Sequence, residues 1–499
     1  LLRSLAILTQ PPLFSRDDVR NVIEPVDRAV TKARKRAGKV ATAANAQVKR
    51  AVRRGITVPH ELLLAAELAK LDVHANPAAL IEREPPPPCP RFGEAKQPGE
   101  LLAVYALERE LLRPRDTAAA WFHLGRRLRV PPGAPAASLV QHDVRAQQLM
   151  HDVLLAAPAL SERQLANSLL AAAYTQSSKG PLVGALCDAL APRVARNVLG
   201  YRDLATVLYA LGRLGVRHDE LLRVLLPAAT AAAPGFYGVD LANAATGLAR
   251  LRLASPALMA TIAGTAALKP GELGPVELPA LLSSLSELGF GTSSRPANPL
   301  EPALAANLFA TAADRLPFIV GEMTPRGLTE LAAAFAAYPA GARLPAALDL
   351  IAAEAAAKCA HFSARQAALT LWSLAVLRYD HAAASPALAA RAASRVPEVD
   401  PPVTLSELAL SYSALARLPL ARGVRGELAS LLTDLSAEEA PFNLQATAAI
   451  ATAMYTLGEP FPAWLRARVD GAHAAGVKEG ATRGERRAYA GLVATRHKL

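Results

Sequence analysis

The amino-acid sequence predicts an all-α protein, an α-solenoid of about eight stacked helix-pair repeats of about 38 residues. Ala and Leu, which are strong helix formers, dominate the chain, and aromatic residues make up only 5% of it. No segment shows the sustained alternation of β-branched residues that is typical of strands. From Gln164 onward, an apolar or small residue recurs eight times at helical positions i, i+4, i+7 and i+10. Such a long, regular period indicates stacked helix pairs.

The eight repeats are separated by nearly constant intervals. Their first anchors lie 39, 37, 37, 50, 39, 41 and 39 residues apart. The one long interval contains Gly289–Pro302, which is rich in Gly, Ser and Pro, and we interpret it as an inserted loop. The anchor sets are Leu165/Leu169/Ala172/Thr175, Leu204/Leu208/Leu211/Leu214, Leu241/Ala245/Leu248/Leu251, Leu278/Leu282/Leu285/Leu288, Leu328/Ala332/Phe335/Tyr338, Ala367/Leu371/Leu374/Leu377, Leu408/Tyr412/Leu415/Leu418 and Thr447/Ala451/Met454/Leu457.

Five segments follow one another along the chain. Residues 1–82 are predicted to form a basic helical N-terminal extension, and residues 83–100 a Pro-rich linker with polyproline II character. Residues 101–159 form a helical region that precedes the array, and a second proline cluster, Pro131–Pro135, interrupts it. The helical-repeat solenoid occupies residues 160–470, and residues 471–499 form a basic C-terminal tail.

Two further positions recur within the repeats. Polar or acidic residues directly before the first anchor complement the free N–H groups and dipole of a helix start, so we interpret them as capping residues, not catalytic carboxylates. Alanines directly after the first anchor would let neighbouring helices approach closely. The capping candidates are Gln164, Asp203, Asp240, Glu277, Gln366 and Glu407, and the alanines are Ala166, Ala205, Ala242, Ala368, Ala409 and Ala448.

The charge of the chain favours a polyanionic partner. The formal net charge is +12, and between residues 28 and 54 ten cations occur without a single acid. A helix face that is merely solvated would normally mix both signs to gain i,i+4 pairs. We therefore interpret the stretch as a phosphate-binding segment, with a solvated face as the alternative. Its cations are Arg28, Lys32, Arg34, Lys35, Arg36, Lys39, Lys49, Arg50, Arg53 and Arg54.

Several first helices of the repeats resemble those of a known class. The segments SERQLANSLLAAAYTQ, YRDLATVLYALGRLGV, GVDLANAATGLARLRL, FSARQAALTLWSLAVLRY and TLSELALSYSALARLPL resemble octotricopeptide repeats and the related repeats of FAST-kinase-like and RAP-domain proteins. The resemblance covers residue 160 to about residue 468. It implies an α-solenoid that acts on organellar RNA. The proline-and-tryptophan signature of octotricopeptide units is absent, its nearest match being FPAWLRARV, and no recognisable RAP domain follows.

The repeats offer candidate RNA contacts but no complete base code. Sequence-specific repeat proteins place polar side chains at fixed positions, and here the positions two and five after the first anchor are polar in only some repeats. Aromatic residues there could stack on bases or fill the core. The candidate base contacts are Asn167, Thr206, Tyr209, Asn243 and Trp372, and further candidate phosphate contacts are Arg213, Arg217, Arg250, Arg252, Arg486 and Arg487.

No catalytic or cofactor motif was found in the sequence. It contains no GxxxxGK[ST], GxGxxG, HExxH or GxSxG pattern, and Cys89, Cys187 and Cys359 are too scattered for a disulfide framework or a zinc site. His142 and His151 are not spaced as metal ligands on one helix face. We expect no enzyme activity, no cofactor, no metal, no small-molecule substrate and no membrane span.

These observations predict a structural RNA-binding protein of an organelle, foremost a mitochondrial ribosome component that binds and stabilises ribosomal RNA beside neighbouring ribosomal proteins. Two alternatives remain. One is a free organellar factor for RNA maturation, stability or translation, and the other is a protein-binding scaffold of the armadillo or HEAT type. The Arg-rich, acid-poor start of the chain is compatible with an organellar import region, so the expected location is the mitochondrial matrix, with the chloroplast as the alternative.

Overall fold

The computed structural model describes residues 92–129, 140, 142–177, 180–291, 299–394, 404–434, 443–475 and 482–496. These residues form twenty α-helices joined by turns and short 3₁₀ segments, and they contain no strand. The prediction of an all-α chain is therefore confirmed for the described residues. The ten cations between Arg28 and Arg54, residues 83–91 of the Pro-rich linker and the Pro131–Pro135 break lie outside them. The last three residues of the predicted linker, 98–100, are helical.

The helices are short and similar in length. Most span 10 to 15 residues, and α11, which follows the inserted loop, spans 19. The helices are α1 Pro98–Glu108, α2 Pro114–Arg127, α3 Val144–Ala156, α4 Glu162–Tyr174, α5 Pro181–Ala195, α6 Tyr201–Leu214, α7 Asp219–Ala232, α8 Gly238–Arg250, α9 Pro256–Leu268, α10 Glu277–Glu287, α11 Glu301–Ile319, α12 Pro325–Ala337, α13 Pro345–Ala357, α14 Ala364–Val376, α15 Ala384–Ala393, α16 Leu405–Arg417, α17 Arg425–Asp434, α18 Leu444–Leu457, α19 Ala463–Ala475 and α20 Arg483–Arg496.

The helices pack in two layers of neighbours. Each even-numbered helix from α2 to α20 packs against the next even-numbered helix, and we call this row the first-helix layer. The odd-numbered helices from α1 to α17 pack in succession behind it. The anchors of the eight repeats lie on α4 to α18. Helix α2 joins the same layer before them and α20 joins it after them, so residues predicted as a leading region and a basic tail extend this layer.

The anchor residues form the core between the layers, as the periodicity predicts. The first three anchors of all eight sets are buried, with at most 4% of any of them exposed. The alanines that follow the first anchors are buried as well. The fourth anchors of four repeats, Leu214, Leu288, Tyr338 and Leu457, are only partly buried.

Four of the predicted capping residues close a capping box. The side chains of Gln164, Asp240, Gln366 and Glu407 accept hydrogen bonds from the backbone N–H three residues earlier, at 2.8, 3.3, 2.9 and 3.4 Å. Each bond satisfies an N–H group that the helix start would leave without a partner. The capping interpretation is confirmed at these four positions.

The turn after most first helices has one geometry. The residue eleven after the first anchor adopts a left-handed backbone in six repeats, at Gln176, Gly215, Arg252, Gly289, Arg378 and Gly458. The following N–H then bonds the carbonyl five residues back, as in Val216 to Leu211 at 3.1 Å, which ends the helix in a Schellman motif. In the two remaining repeats this position is Pro339 or Pro419, whose ring forbids positive φ.

Small residues bring some first helices into backbone contact. A Cβ added to Gly247 of α8 would lie 2.4 Å from the carbonyl oxygen of Leu208 in α6, and one added to Gly212 would lie 2.5 Å from that of Gly247. A Cβ at Gly125 of α2 would similarly lie 2.7 Å from the Cα of Ala171. Only glycine permits these approaches, which set the close spacing of α6 and α8.

Several lysines and arginines of the second layer stabilise the fold by donating hydrogen bonds to backbone carbonyls. Lys269, at the end of α9, donates to the carbonyls of Pro234 and Phe236, both at 3.0 Å. Lys358, after α13, donates likewise to Gly321 and Met323. Equivalent bonds run from Arg193 to Leu160, from Arg315 to Leu273 and from Arg391 to Phe362. Each of these cations therefore ties the second helix of a pair to the turn that comes just before the first helix of the same pair.

Among the described residues, one helix is long and apolar enough to cross a membrane. It spans Glu301–Glu322, has a mean hydropathy of 1.3 and is 39% buried. Its main part, α11, packs between α9 and α13 in the second layer. A core helix of a soluble protein has the same composition, so the expected lack of a membrane span stays a prediction.

Candidate functional site

One face of the first-helix layer carries the positions proposed to contact bases. The residues two and five after each first anchor are half-buried or exposed in all eight repeats, whereas the positions beside them are buried. We call this surface the reading face. All five candidate base contacts lie on it: Asn167, Thr206, Tyr209, Asn243 and Trp372.

A groove of about 540 Å³ crosses the reading face over four successive first helices, α6, α8, α10 and α12. Its floor includes Tyr209, Asn243, Thr246 and Ala280, which occupy the two reading positions of their repeats. The hydroxyls of Thr246 and Ser284 lie 3.2 Å apart and join α8 to α10 beneath the groove. The groove therefore exists because the close packing of these helices keeps their reading positions in register.

One side of the groove is formed by arginines at the C-terminal ends of the helices. We call Arg129, Arg213 and Arg250 the arginine edge. The guanidinium carbons of Arg129 and Arg213 lie 5.4 and 5.2 Å from the ring centre of Tyr174. Cations at these positions also complement the negative end of the helix dipoles.

The Tyr174 ring beneath Arg129 and Arg213 is held neutral by burial. Burial raises the pKa of Tyr174, an effect that Arg129 and Arg213 partly oppose, so the ring is uncharged at neutral pH. Arg250 stacks similarly, with its guanidinium carbon 5.7 Å from the ring centre of Tyr209. Aromatic rings under guanidinium groups form cation–π pairs, which hold these arginines at the edge of the groove.

The opposite side of the groove carries carboxylates at the N-terminal ends of the helices. We call Glu277, the first residue of α10, and Glu330, in the second turn of α12, the carboxylate edge. The Nε of Arg326 donates to Oε1 of Glu330 at 2.7 Å. This hydrogen bond raises the pKa of Arg326 and holds the Glu330 carboxylate in the wall of the groove. The groove thus has three arginines on one side, and on the other it has two carboxylates together with Arg326, which is paired with Glu330.

The remaining predicted phosphate contacts occupy different surroundings. Arg217 donates to the carbonyls of Leu251 and Arg252, so its guanidinium closes the end of α8. Arg252 is exposed at the left-handed turn position after α8. Arg486 and Arg487 are exposed on α20. Of the six arginines predicted in the described residues, the groove unites only Arg213 and Arg250.

A second groove lies further along the same layer. It has a volume of about 560 Å³ and crosses α16, α18 and α20, with Ser413, Thr452, Arg417 and Arg487 among its lining residues. Ser413 and Thr452 occupy the second reading position, five after the first anchor. Helix α20 is therefore part of a surface that continues the reading face.

Three predicted base contacts lie outside both grooves. Asn167 belongs to α4, and the hydroxyl of Thr206 donates to the carbonyl of Arg202 at 2.7 Å in its own helix. Trp372 on α14 is flanked at neighbouring reading positions by Leu369 and Leu410, all three half-buried. This part of the reading face is apolar, which separates the two polar grooves.

Sequence reasoning missed Arg129, Glu277 and Glu330 as groove residues, and it missed Tyr174 as the ring beneath two of the arginines. A signal for the arginine edge was present, since the position nine after the first anchor is Tyr174, Arg213 and Arg250 in the first three repeats. Arg129 follows α2, which the repeat pattern did not include. Glu277 has the sequence position of a capping residue, so its place in the groove wall depends on how α10 packs between α8 and α12.

The described residues contain no group of three or more side chains suited to hold a metal ion. The Cys187 thiol is buried, which raises its pKa to about 12 and keeps it protonated. The Cys359 thiol is partly buried, and its pKa is raised for the same reason. A scan against protein-family models found no match, and a search of curated proteins found none either.

Proposed function

We propose that this chain is a structural RNA-binding helical-repeat protein of an organelle, foremost a component of the mitochondrial ribosome that binds and stabilises ribosomal RNA. The proposal includes a solenoid of eight repeats of about 38 residues, with α2 and α20 as flanking members of its first-helix layer. Support comes from the repeat pattern, the resemblance to octotricopeptide repeats and the basic stretch from Arg28 to Arg54.

The groove across α6, α8, α10 and α12 is the observation that carries the proposal. Sites for single-stranded RNA combine cations for phosphates with aromatic or guanidinium planes on which bases stack. Here Arg250 and Tyr209 supply such a plane, and Asn243 lies beside them with an amide that can donate and accept. The arginine edge supplies the charge for the phosphates.

Binding of a labelled 20-nucleotide single-stranded RNA by the full chain tests the proposal. We expect Arg250→Ala to weaken binding by about tenfold, because it removes a phosphate contact and also the guanidinium that forms a stacking plane with Tyr209. Arg223→Ala is the matched control, since Arg223 is exposed on α7 in the second layer and its loss removes the same charge. Equal weakening by both variants, or no RNA binding by the wild-type chain in low salt, contradicts the proposal.

Purification of the protein from cells at low and high salt separates the candidate roles. Ribosomal RNA with ribosomal proteins supports the ribosomal role, and a single messenger or precursor RNA supports a free factor for RNA maturation or translation. The apolar stretch around Leu369, Trp372 and Leu410 favours a protein-binding scaffold as a second candidate. Apolar contacts persist at high salt, so such a scaffold should keep its partner there. A protein partner retained at high salt without RNA would support that scaffold.

A further inference from the structure

We propose that the groove across α6, α8, α10 and α12 selects against uridine and favours bases with an exocyclic amino group. This inference rests on the proposed RNA function and names the chemistry of the nucleotides that this one site accepts. It is carried by the distribution of charge across the groove: three arginines lie at the helix C-termini, whereas two carboxylates and Arg326, which is paired with Glu330, lie toward the helix N-termini.

The separation of charge orients a bound strand. Phosphates are attracted to Arg129, Arg213 and Arg250. The carboxylate edge, where Arg326 offsets one of the two carboxylates, keeps a net negative charge that repels them. The sugar-phosphate backbone therefore lies along the arginine edge, and the bases extend over the floor toward the carboxylate edge. In this orientation the base edges, which carry the sequence information, meet two carboxylates.

Carboxylates accept hydrogen bonds and cannot donate them. Adenine and cytosine present amino groups at N6 and N4, which donate to such acceptors, whereas uracil presents the oxygens O4 and O2 on either side of its single N3–H. The hydrogen bond from Arg326 engages only Oε1 of Glu330. A base with an amino group gains a charge-assisted hydrogen bond here, and uracil brings its oxygens against a negative charge.

The neighbouring floor residues do not reverse this preference. Asn243 carries an amide that can donate or accept, so it accommodates all four bases. The hydroxyls of Thr246 and Ser284 lie within hydrogen-bond distance of each other. Discrimination therefore depends on Glu277 and Glu330.

Fluorescence anisotropy with labelled octamers of adenylate, cytidylate and uridylate, all at one salt concentration, tests the inference on the full chain. We expect the adenylate and cytidylate octamers to bind about five- to tenfold more tightly than the uridylate octamer. The double variant Glu277→Gln/Glu330→Gln should bring this ratio close to one by strengthening uridylate binding, because a glutamine amide can donate to O4. Glu220→Gln, on the exposed start of α7, controls for the loss of negative charge.

The outcomes separate this inference from the proposed function. Failure of the chain to bind any octamer contradicts the RNA function itself. Binding of all three octamers with equal affinity, or an unchanged ratio in the double glutamine variant, overturns the base preference and leaves the RNA function standing. A ratio that collapses equally in Glu220→Gln assigns the effect to net charge and also overturns the inference.

Discussion

At the scale of single residues, Asp152 is the centre of a polar cluster that joins α3 to α1. Its carboxylate on α3 accepts hydrogen bonds from Tyr105 at 2.6 Å and from Arg109 at 2.7 and 2.9 Å. Gln148, one turn earlier, donates to it at 3.0 Å. The bidentate arginine pair is the main reason that the pKa of Asp152 falls to about 2. The sequence did not predict this link between α1 and α3.

The stability that this carboxylate provides should depend on pH. Because its pKa is lower in the folded chain than the value of about 3.9 for an unfolded chain, its contribution is complete above about pH 5 and is lost as the pH falls toward 2. We expect Asp152→Asn to lower the melting temperature at pH 7 and to differ least from wild type near pH 2. Thermal unfolding of both proteins between pH 2 and 7 measures this.

Glu110→Gln, a change to an exposed carboxylate that follows α1, is the control for this experiment. It should leave the melting temperature nearly unchanged throughout the range. A gap between Asp152→Asn and wild type that stays constant down to pH 2 would show that folding does not lower the pKa of the Asp152 carboxylate.

At the scale of helices, the spacing of α6 and α8 depends on glycine. Replacing Gly247 with Ala places a methyl group 2.4 Å from the Leu208 carbonyl oxygen, so the helices must separate. We expect Gly247→Ala to lower the free energy of unfolding by about 1–3 kcal/mol, as overpacking does in other cores. Chemical denaturation of the full chain provides the measurement.

Gly184 of α5 offers a matched comparison, because an added Cβ there would meet nothing within 4 Å. Gly184→Ala should raise stability by about 0.5–1 kcal/mol through the better helix propensity of Ala. If both alanine variants changed stability in the same direction, close backbone packing would not be what requires glycine at residue 247. Because Thr246 and Arg250 of α8 line the groove, Gly247→Ala should also weaken RNA binding, whereas Gly184→Ala should not.

At the scale of the whole molecule, the cations discussed above fall into three sets. Lys269, Lys358 and Arg193 donate to backbone carbonyls in the turns that join one helix pair to the next, so these cations stabilise the fold. The ten cations between Arg28 and Arg54 lie outside the described residues, and the proposal that they contact phosphates comes from the sequence alone. The arginine edge is a third set, placed by the fold at the groove.

Charge reversal in the basic stretch tests its share of RNA binding. Replacing Arg34, Lys35, Arg36 and Lys39 with Glu in the full chain should weaken RNA association and flatten its dependence on salt. Each lost phosphate contact lowers the slope of log affinity against log salt by about 0.7 for single-stranded RNA. A slope that equals that of the wild-type chain would show that these cations do not contact RNA.

The sequence by itself determined the helical fold and the identity of its core. Periodic anchors from Leu165 to Leu457 are spaced at helical intervals, and a helix with one apolar face can bury that face only against its neighbours, so the pattern predicts both the helices and their stacking. The same pattern predicted the capping residues and the positions that face outward. It predicted a helical region at residues 101–159 but did not place α2 or α20 in the first-helix layer, because neither helix belongs to the eight anchor sets.

Only the tertiary structure decided which of those outward residues act together. Tyr209, Asn243 and Glu330 lie in three repeats more than 30 residues apart, and they share a groove because glycines bring α6 against α8 and because α10 and α12 continue the layer. Arg213 and Arg217 look alike in the sequence. Arg213, which donates to the carbonyl of Ala173, borders the groove, whereas Arg217 lies outside the groove and bonds the carbonyls that end α8. The period of a single helix fixes the direction of a side chain, whereas the partner it meets depends on the packing between helices.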